Sequence, residues 1–353
     1  MGDAGARIRA AIGDRGPITF AEFMGMALLG PGGFFEEPPV GPTGAFLTAP
    51  HVHAVFADLV RFALADLHEG LGRPAPFRVV DLGAGDGTLA AAIADGFRDL
   101  DGVPCEVEGV DASAGARDAM AARGLRSAAR LVDLPPGDPA VVLGNEVLDN
   151  LPFRWVRRRA DGFVEVRVDA RGDAFVPVEA PCDPSLVELA GDLPDGADAF
   201  VSPDALAFVD DLAAWLRRGY VLLIDYGWPD RPAHEVHGYR DHRLVGEVLA
   251  DPGSCDITAG VDFGAIARRA TERGLAVLGE VRQDAALRTL GYDDWQSTQR
   301  ERQTAARAGG DAVAELRIWE GRGLASILVD PERMGGFRWL LLGTPGLPAP
   351  TWG

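Results

Sequence analysis

Val79-Val80-Asp81-Leu82-Gly83-Ala84-Gly85-Asp86-Gly87-Thr88-Leu89 reads as an apolar strand ending in an acid, then three alternate glycines, then a helix start. Glycine has no Cβ, so the backbone can turn sharply there and pass close to a ligand. The helix start leaves free backbone N–H groups facing the same place. The spacing discriminates between cofactors. A dinucleotide loop reads G-x-G-x-x-G, which puts the third glycine where this chain has Thr88. The acid at the strand end, Asp81, would repel a pyrophosphate, but it suits the ammonium of an amino-acid-bearing cofactor.

Around this loop, strands alternate with helices, the pattern of a parallel α/β sheet. Phe77–Leu82, Glu106–Asp111, Ala140–Gly144, Tyr220–Tyr226, Ala276–Val281 and Phe337–Leu342 read as buried strands. Helices are expected after Gly87 (Leu89, Ala92, Ile93 and Phe97 on one face), around Ala114–Arg123, over Pro203–Arg218 and over Val261–Arg273. Residues 153–180 alternate in apolar character and read as an antiparallel excursion. The organisation expected is an N-terminal helical cap over 1–75, a core over 76–283, a helical insertion over 284–335, and the last core strand with a tail over 336–353. Within the cap, Gly30–Gly33 and Glu36–Gly44 are breaker-rich loops, and Phe34-Phe35 is expected to be packed.

Three further stretches carry chemistry. Val107–Asp111 ends a strand in a carboxylate that could accept the ribose hydroxyls of an adenosine, or cap the helix that follows. Val141–Phe153 places Asn145, Glu146, Asp149 and Asn150 at the carboxyl edge of the sheet. The two asparagines are the only ones in the chain. Glu146 and Asp149 could hold a guanidinium through paired charge-assisted bonds; the alternative is a helix capped by Asn145. Asp225, Tyr226, Asp256 and His242 recur at strand ends and loop starts, as if lining the same pocket mouth. Asp262 reads as a helix N-cap. No metal site is expected, and Arg157-Arg158-Arg159 reads as a solvated strand edge.

Composition narrows the chemistry. The 353 residues carry a net charge of −19, and all 34 basic side chains are arginine. Without lysine, neither a P-loop nor a Schiff-base mechanism is possible. The acidity speaks against nucleic acid and is compatible with a basic partner. Cys105, Cys182 and Cys255 form neither a disulfide framework nor zinc spacing. The best apolar runs are strand-length, so no membrane span is expected. Met1–Gly5 opens no signal-peptide core, and the expectation is a cytosolic protein.

G-x-G-x-G after an acidic strand end resembles motif I of class I S-adenosylmethionine (SAM) methyltransferases. With Ile18–Met24, Phe46–Pro50, Gly144–Pro152, Ile224–Gly227 and Asp256–Phe263, the chain resembles the MidA-type family, from about residue 16 to about 343. That family includes the mitochondrial respiratory complex I assembly factor with protein arginine methyltransferase activity. The resemblance implies a Rossmann-like class I SAM methyltransferase core on a mostly parallel seven-stranded sheet, with an N-terminal helical cap and a helical insertion. It implies that Asp81, Gly83, Gly85, Gly87, Asp111, Thr48 and Asn145 bind the cofactor SAM. It puts Asn145, Glu146 and Asp149 at the catalytic centre. The chain departs from the family at His51, where an acid is usual, at Ala45, and at Gly33-Phe34-Phe35.

The function expected is methyl transfer to an arginine guanidinium of a basic protein or peptide partner, with a homodimer open. The rivals are a peptide or small-molecule methyltransferase, a SAM-binding assembly factor without catalysis and, more distantly, an NAD(P) oxidoreductase.

Overall fold

The computed structural model describes residues 4–36, 48–240 and 243–352. Its centre is a seven-stranded sheet made of Phe77–Leu82 (β1), Cys105–Val110 (β2), Arg126–Ala128 (β3), Ala140–Asn145 (β4), Gly219–Asp225 (β5), Ala276–Arg282 (β6) and Arg338–Gly343 (β7). The order across the sheet is β6-β7-β5-β4-β1-β2-β3. β7 runs antiparallel to both its neighbours, and the other pairs are parallel. Parallel strands need crossovers that cover both faces, so their sequences are unbroken apolar runs. Tyr220 to Ile224 is such a run and is fully buried. This is the Rossmann-like class I architecture. The strand order reverses between β1 and β4, so their carboxyl ends flank the crevice where open α/β sheets bind ligands.

The helices are Ala4–Arg15 (α1), Phe20–Leu28 (α2), Ala49–Val52 (α3), Val55–Gly70 (α4), Thr88–Gly96 (α5), Ala114–Ala122 (α6), Pro184–Ala190 (α7), Pro203–Trp215 (α8), Phe263–Glu272 (α9), Gln283–Thr289 (α10), Tyr292–Ala308 (α11) and Ala312–Ser326 (α12). α4, α5 and α10 cover one face of the central sheet; α8 and α9 cover the other. Trp352, near the end of the chain, is also buried and lies edge-on to Trp339 of β7.

Several details differ from the sequence reading. The segment before residue 75 is not one cap. α4 belongs to the core, whereas α1 and α2 pack on a second, antiparallel sheet. That sheet pairs Ile18–Thr19 with 162–171, continues through 154–159 to 198–201, and adds 174–181. The excursion therefore extends to Val201. Arg157–Arg159 lies on an inner strand, not an edge. Arg157 binds Asp198 bidentately at 2.6 and 2.9 Å, and Arg159 pairs with Glu179. On α5 it is Ala90, not Ala92, that joins Leu89 and Ile93 in the core, because at about 100° per residue Ala90 shares their face and Ala92 turns off it. A small three-stranded sheet, 237–240, 243–245 and 256–258, sits beside α2. Asp262 caps α9, accepting from Ala265 N at 2.8 Å.

Candidate active site

The loop after β1 turns through three glycines in the left-handed region, with φ of +67° at Gly83, +55° at Gly85 and +77° at Gly87. A side chain would be strained at each of them. A Cβ at Gly83 would lie 2.7 Å from Val147 Cγ2, so the loop lies directly against the segment after β4. Gly87 plays a different part from the other two. Its missing Cβ leaves room for Met120 and Leu125, and it seats α5 against the α6 region away from the cavity.

One cavity of about 1190 Å³ opens over the carboxyl ends of β1, β2, β4 and β5. Its wall holds Asp81, Gly83, Gly85, Asp111, Thr48, Asn145, Glu146 and Asp149, the sequence candidates other than Gly87. The volume exceeds that of most single small-molecule pockets, which leaves room for a cofactor and an acceptor together. Phe35 lines it as well, while its neighbour Phe34 packs against Phe35 in the N-terminal core. His242, Ala45 and the Phe46-Leu47 half of the cap motif lie outside the described residues.

At the cofactor end, Asp81 is buried with Oδ2 unpartnered. Burial, and after it the charge of Asp111, push its carboxyl up to about 8. Asp111 accepts from Gly85 N at 3.0 Å and from Ser113 N at 2.8 Å, tying the glycine loop to the end of β2. Ser113, not Asp111, then caps α6. An unpartnered buried acid beside a second acid is a site that a cation would relieve. An ammonium and a sulfonium both answer that description, so the residues present fit SAM.

The polypeptide after β4 does not form a helix. Glu146 takes a left-handed φ of +54°, rare for a residue with a side chain. That conformation is held by Glu146 N donating to Ile224 O at 2.8 Å. Glu146 Oε1 accepts from Asn145 Nδ2 at 2.9 Å and from Ala49 N at 2.8 Å. Behind it, Asp225 is fully buried. Its Oδ2 accepts from Leu148 N at 2.8 Å and Asp149 N at 3.2 Å, and its Oδ1 from Tyr226 N at 2.8 Å. Asp256 accepts from Asn150 Nδ2 at 2.8 Å.

Glu146, Asp149, Asp225 and Asp256 thus form an acidic well, and none of them has an arginine in ion-pair reach among the described residues. Burial pushes Glu146, Asp225 and Asp256 each up to about 7. Burial, and then the charges of Asp225, Asp256 and Glu146, raise Asp149 well above the carboxylate range. Asp149 Oδ1 and Asn145 Oδ1 are buried without a partner. Tyr226, bonded to Thr258 Oγ1 at 2.8 Å, and Tyr239 form the aromatic side of the well. No cluster of His, Cys, Asp or Glu among the described residues is arranged to hold a metal ion.

Sequence reasoning passed over the link between the cap and the glycine loop. Thr48 Oγ1 lies 2.8 Å from His51 Nδ1, and His51 Nε2 lies 3.3 Å from Asp86 Oδ1. Asp86 also accepts from Thr88 N, Thr88 Oγ1 and Arg123. Burial alone would raise the Asp86 carboxyl, but the bonds from His51 and Thr88 outweigh it and hold it well below the usual range. The signal available was the spacing of Thr48 and His51, three apart, across a helix start. Trp228, Arg333, Met334 and Phe337 on the far wall had no signal, since they come from loops distant in the sequence.

A family model described as S-adenosyl-L-methionine-dependent methyltransferase matches residues 61–281, more than half of the chain. The chain belongs to this family. It is a SAM-dependent class I methyltransferase. It is 27% identical over 357 residues to protein arginine methyltransferase NDUFAF7, mitochondrial, of Rattus norvegicus, covering 91% of this chain and 79% of the relative. The Drosophila melanogaster homologue is 27% identical over 374 residues, covering 95% and 83%. Among solved structures, a Burkholderia thailandensis protein bound to S-adenosyl-homocysteine superposes with a TM-score of 0.82 at 29% identity. That match covers 96% of this chain and 91% of the other. These findings correct the cytosolic expectation, because the rat and fruit-fly relatives are named as mitochondrial. No helix among the described residues is long and apolar enough to cross a membrane.

Proposed function

We propose that this methyltransferase acts on an arginine guanidinium nitrogen of a partner protein. The observation that carries the reading is the acidic well beside the glycine loop, where Glu146, Asp149 and Asp256 line the cavity with Asp225 buried behind them and no arginine of the chain's own in ion-pair reach among the described residues. A guanidinium suits such a well. It stays charged when buried, and its planar fork can meet two carboxylates at once. The relatives named as protein arginine methyltransferases support the same acceptor, and the net charge of −19 favours a basic partner.

In this reading Asp81 faces the cationic end of the cofactor, Asp111 the ribose, and Thr48 and Asn145 close the space between. Gly83 and Gly85 let the backbone approach. SAM, when bound, supplies a methyl group already activated by its sulfonium. Catalysis by the protein is then chiefly placement and electrostatics. Glu146 and Asp149 hold the guanidinium so that one nitrogen points at the methyl carbon. Asp225 spends both oxygens on backbone amides and so fixes the turn that carries those two acids. Glu146, poised near neutrality, takes the proton that the attacked nitrogen gives up.

The test is incubation with methyl-labelled SAM and matched basic peptides that differ only in arginine, lysine or citrulline at one position. Label on the arginine peptide alone supports the reading. Label on the lysine peptide, or none on any peptide while SAM binds, overturns arginine as the acceptor.

A further inference from the structure

We infer that Arg123 is a positioning residue for the cofactor: from the end of α6 it holds the glycine loop in the turn that admits SAM. The loop needs such a hold. Gly83, Gly85 and Gly87 all lie in the left-handed region, and each is free to leave it, because glycine populates negative φ about as readily as positive. Asp111 holds one side of the loop through Gly85 N. Arg123 holds the other. Its Nε donates to the main-chain oxygen of Asp86 at 2.7 Å, and its Nη2 donates to Asp86 Oδ2 at 2.7 Å and to Thr88 Oγ1 at 3.0 Å. These three bonds straddle Gly87, one residue on each side, so a change of φ at Gly87 would break them.

The local packing brings the side chain within reach. Arg123 caps the C-terminus of α6, and its amide donates to Met120 O at 3.0 Å, which fixes where the side chain starts. A Cβ on Gly87 would lie 2.8 Å from Met120 Cγ and 2.9 Å from Leu125 Cδ1. Its absence lets this end of the helix come close to the loop. The start of the same helix is capped by Ser113, whose amide donates to Asp111 at 2.8 Å. α6 therefore braces the cofactor end twice, through Asp111 at its start and through Arg123 at its end. Of the two partners in the clamp, Asp86 lines the cavity and Arg123 does not, so Arg123 acts on a cofactor through the loop. Charge alone does not account for the arrangement. The Arg123 side chain is 43% exposed, where an ion pair is worth little, and two of its three acceptors are a carbonyl and a hydroxyl. They call for a planar fork with donors at fixed angles, which lysine lacks.

Calorimetric titration with S-adenosyl-homocysteine, together with amide hydrogen exchange of the ligand-free chain, tests this. Arg123→Met keeps the apolar stem and removes the fork. It is expected to raise the dissociation constant roughly tenfold, with the same fraction of chains binding and circular dichroism unchanged. The amides of Gly85, Gly87 and Thr88, each bonded to Asp111 or within the loop, should exchange roughly tenfold faster, while those of β1 and β4 keep the wild-type rate. Arg123→Lys retains the charge without the fork and is expected to recover only a minor part of the loss. A residue that served stability alone would lower the unfolding temperature and leave the dissociation constant where it is. That result overturns the proposal. So does wild-type affinity in Arg123→Lys, or weakened binding with unchanged exchange in the loop.

Discussion

Ala49 donates its backbone N–H to Oε1 of Glu146 across 2.8 Å, joining the short helix of the N-terminal segment to the turn after β4. Asn145 Nδ2 donates to the same oxygen at 2.9 Å, so neither bond occupies Oε2. The carboxylate assigned to the acceptor is thus anchored by one oxygen, while the other remains for substrate. The arrangement also explains why a residue with a side chain holds a left-handed conformation there. Strain of this kind persists where the surroundings over-determine it.

Glu146→Gln keeps an acceptor oxygen for Ala49 and removes the charge. It is expected to bind S-adenosyl-homocysteine like the wild type and to lose turnover by on the order of 10² or more. Calorimetry reads the first quantity and labelled methyl transfer the second. Turnover within twofold of wild type would remove Glu146 from its assigned role.

The buried acids make ligand-free stability depend on pH with a definite sign. Burial raises Asp81 from 3.8 to about 8, Glu146 from 4.5 to about 7, and Asp225 and Asp256 from 3.8 to about 7. Where the folded pKa is raised, the native state holds more protons than the unfolded chain, and stability falls as pH rises. The contribution of these four groups is therefore fully present below about 4 and is lost between there and about 8. Urea unfolding of the ligand-free protein at pH 5, 6, 7 and 8 is expected to show that decline, flattened in Asp256→Asn. A rise over the same interval would mean the well is not dry. Methyl transfer should run the other way, increasing through pH 7 as the acids ionise to receive a cation.

The part of the fold set by local pattern was legible in the sequence. The buried runs of β1, β4 and β5, the glycine loop and the acids at the strand ends all repeat or interrupt a period that the chain itself displays. Long-range pairings left no such mark. Ile18 and Thr19 are too short a stretch to read as a strand, and they become one only because Val168 and Arg167 offer an edge. The turn at Glu146 resembled a capped helix start because asparagine followed by glutamate is a good one. Tertiary bonds from Ile224 and Asp225 decided otherwise. The membership of Asp225 and Asp256 in one well with Glu146 could be guessed from their places at sheet edges. Their shared burial, and the lack of an arginine in ion-pair reach among the described residues, required the fold.

Asp225→Ala leaves the amides of Leu148, Asp149 and Tyr226 without their acceptor in a buried site. Each orphaned donor costs about 1–3 kcal/mol when it cannot reach water. Partial relaxation makes a total loss of about 2–4 kcal/mol the expectation in denaturant unfolding. Activity should fall further than stability explains, because the turn that aims Glu146 and Asp149 is released. Residual folded enzyme with a normal kcat would show that the turn holds itself.

His51→Glu places a carboxylate against Asp86 where the wild type has an imidazole at 3.3 Å. Asp86 sits inside the glycine loop, and Thr48 is bonded to His51 from the other side. Repulsion at that point should part the N-terminal segment from the loop and loosen the cofactor end of the cavity, and it also loads the bond from Ala49 to Glu146 in the same short helix. The expected result is an increase of roughly three- to tenfold in the dissociation constant for S-adenosyl-homocysteine, with a smaller fall in kcat at saturating SAM as the anchor on Glu146 loosens. His51→Ala should fall between the two, since it removes the attraction without adding a charge. If both variants bind like the wild type, the contact between His51 and Asp86 does not help to close the cofactor site.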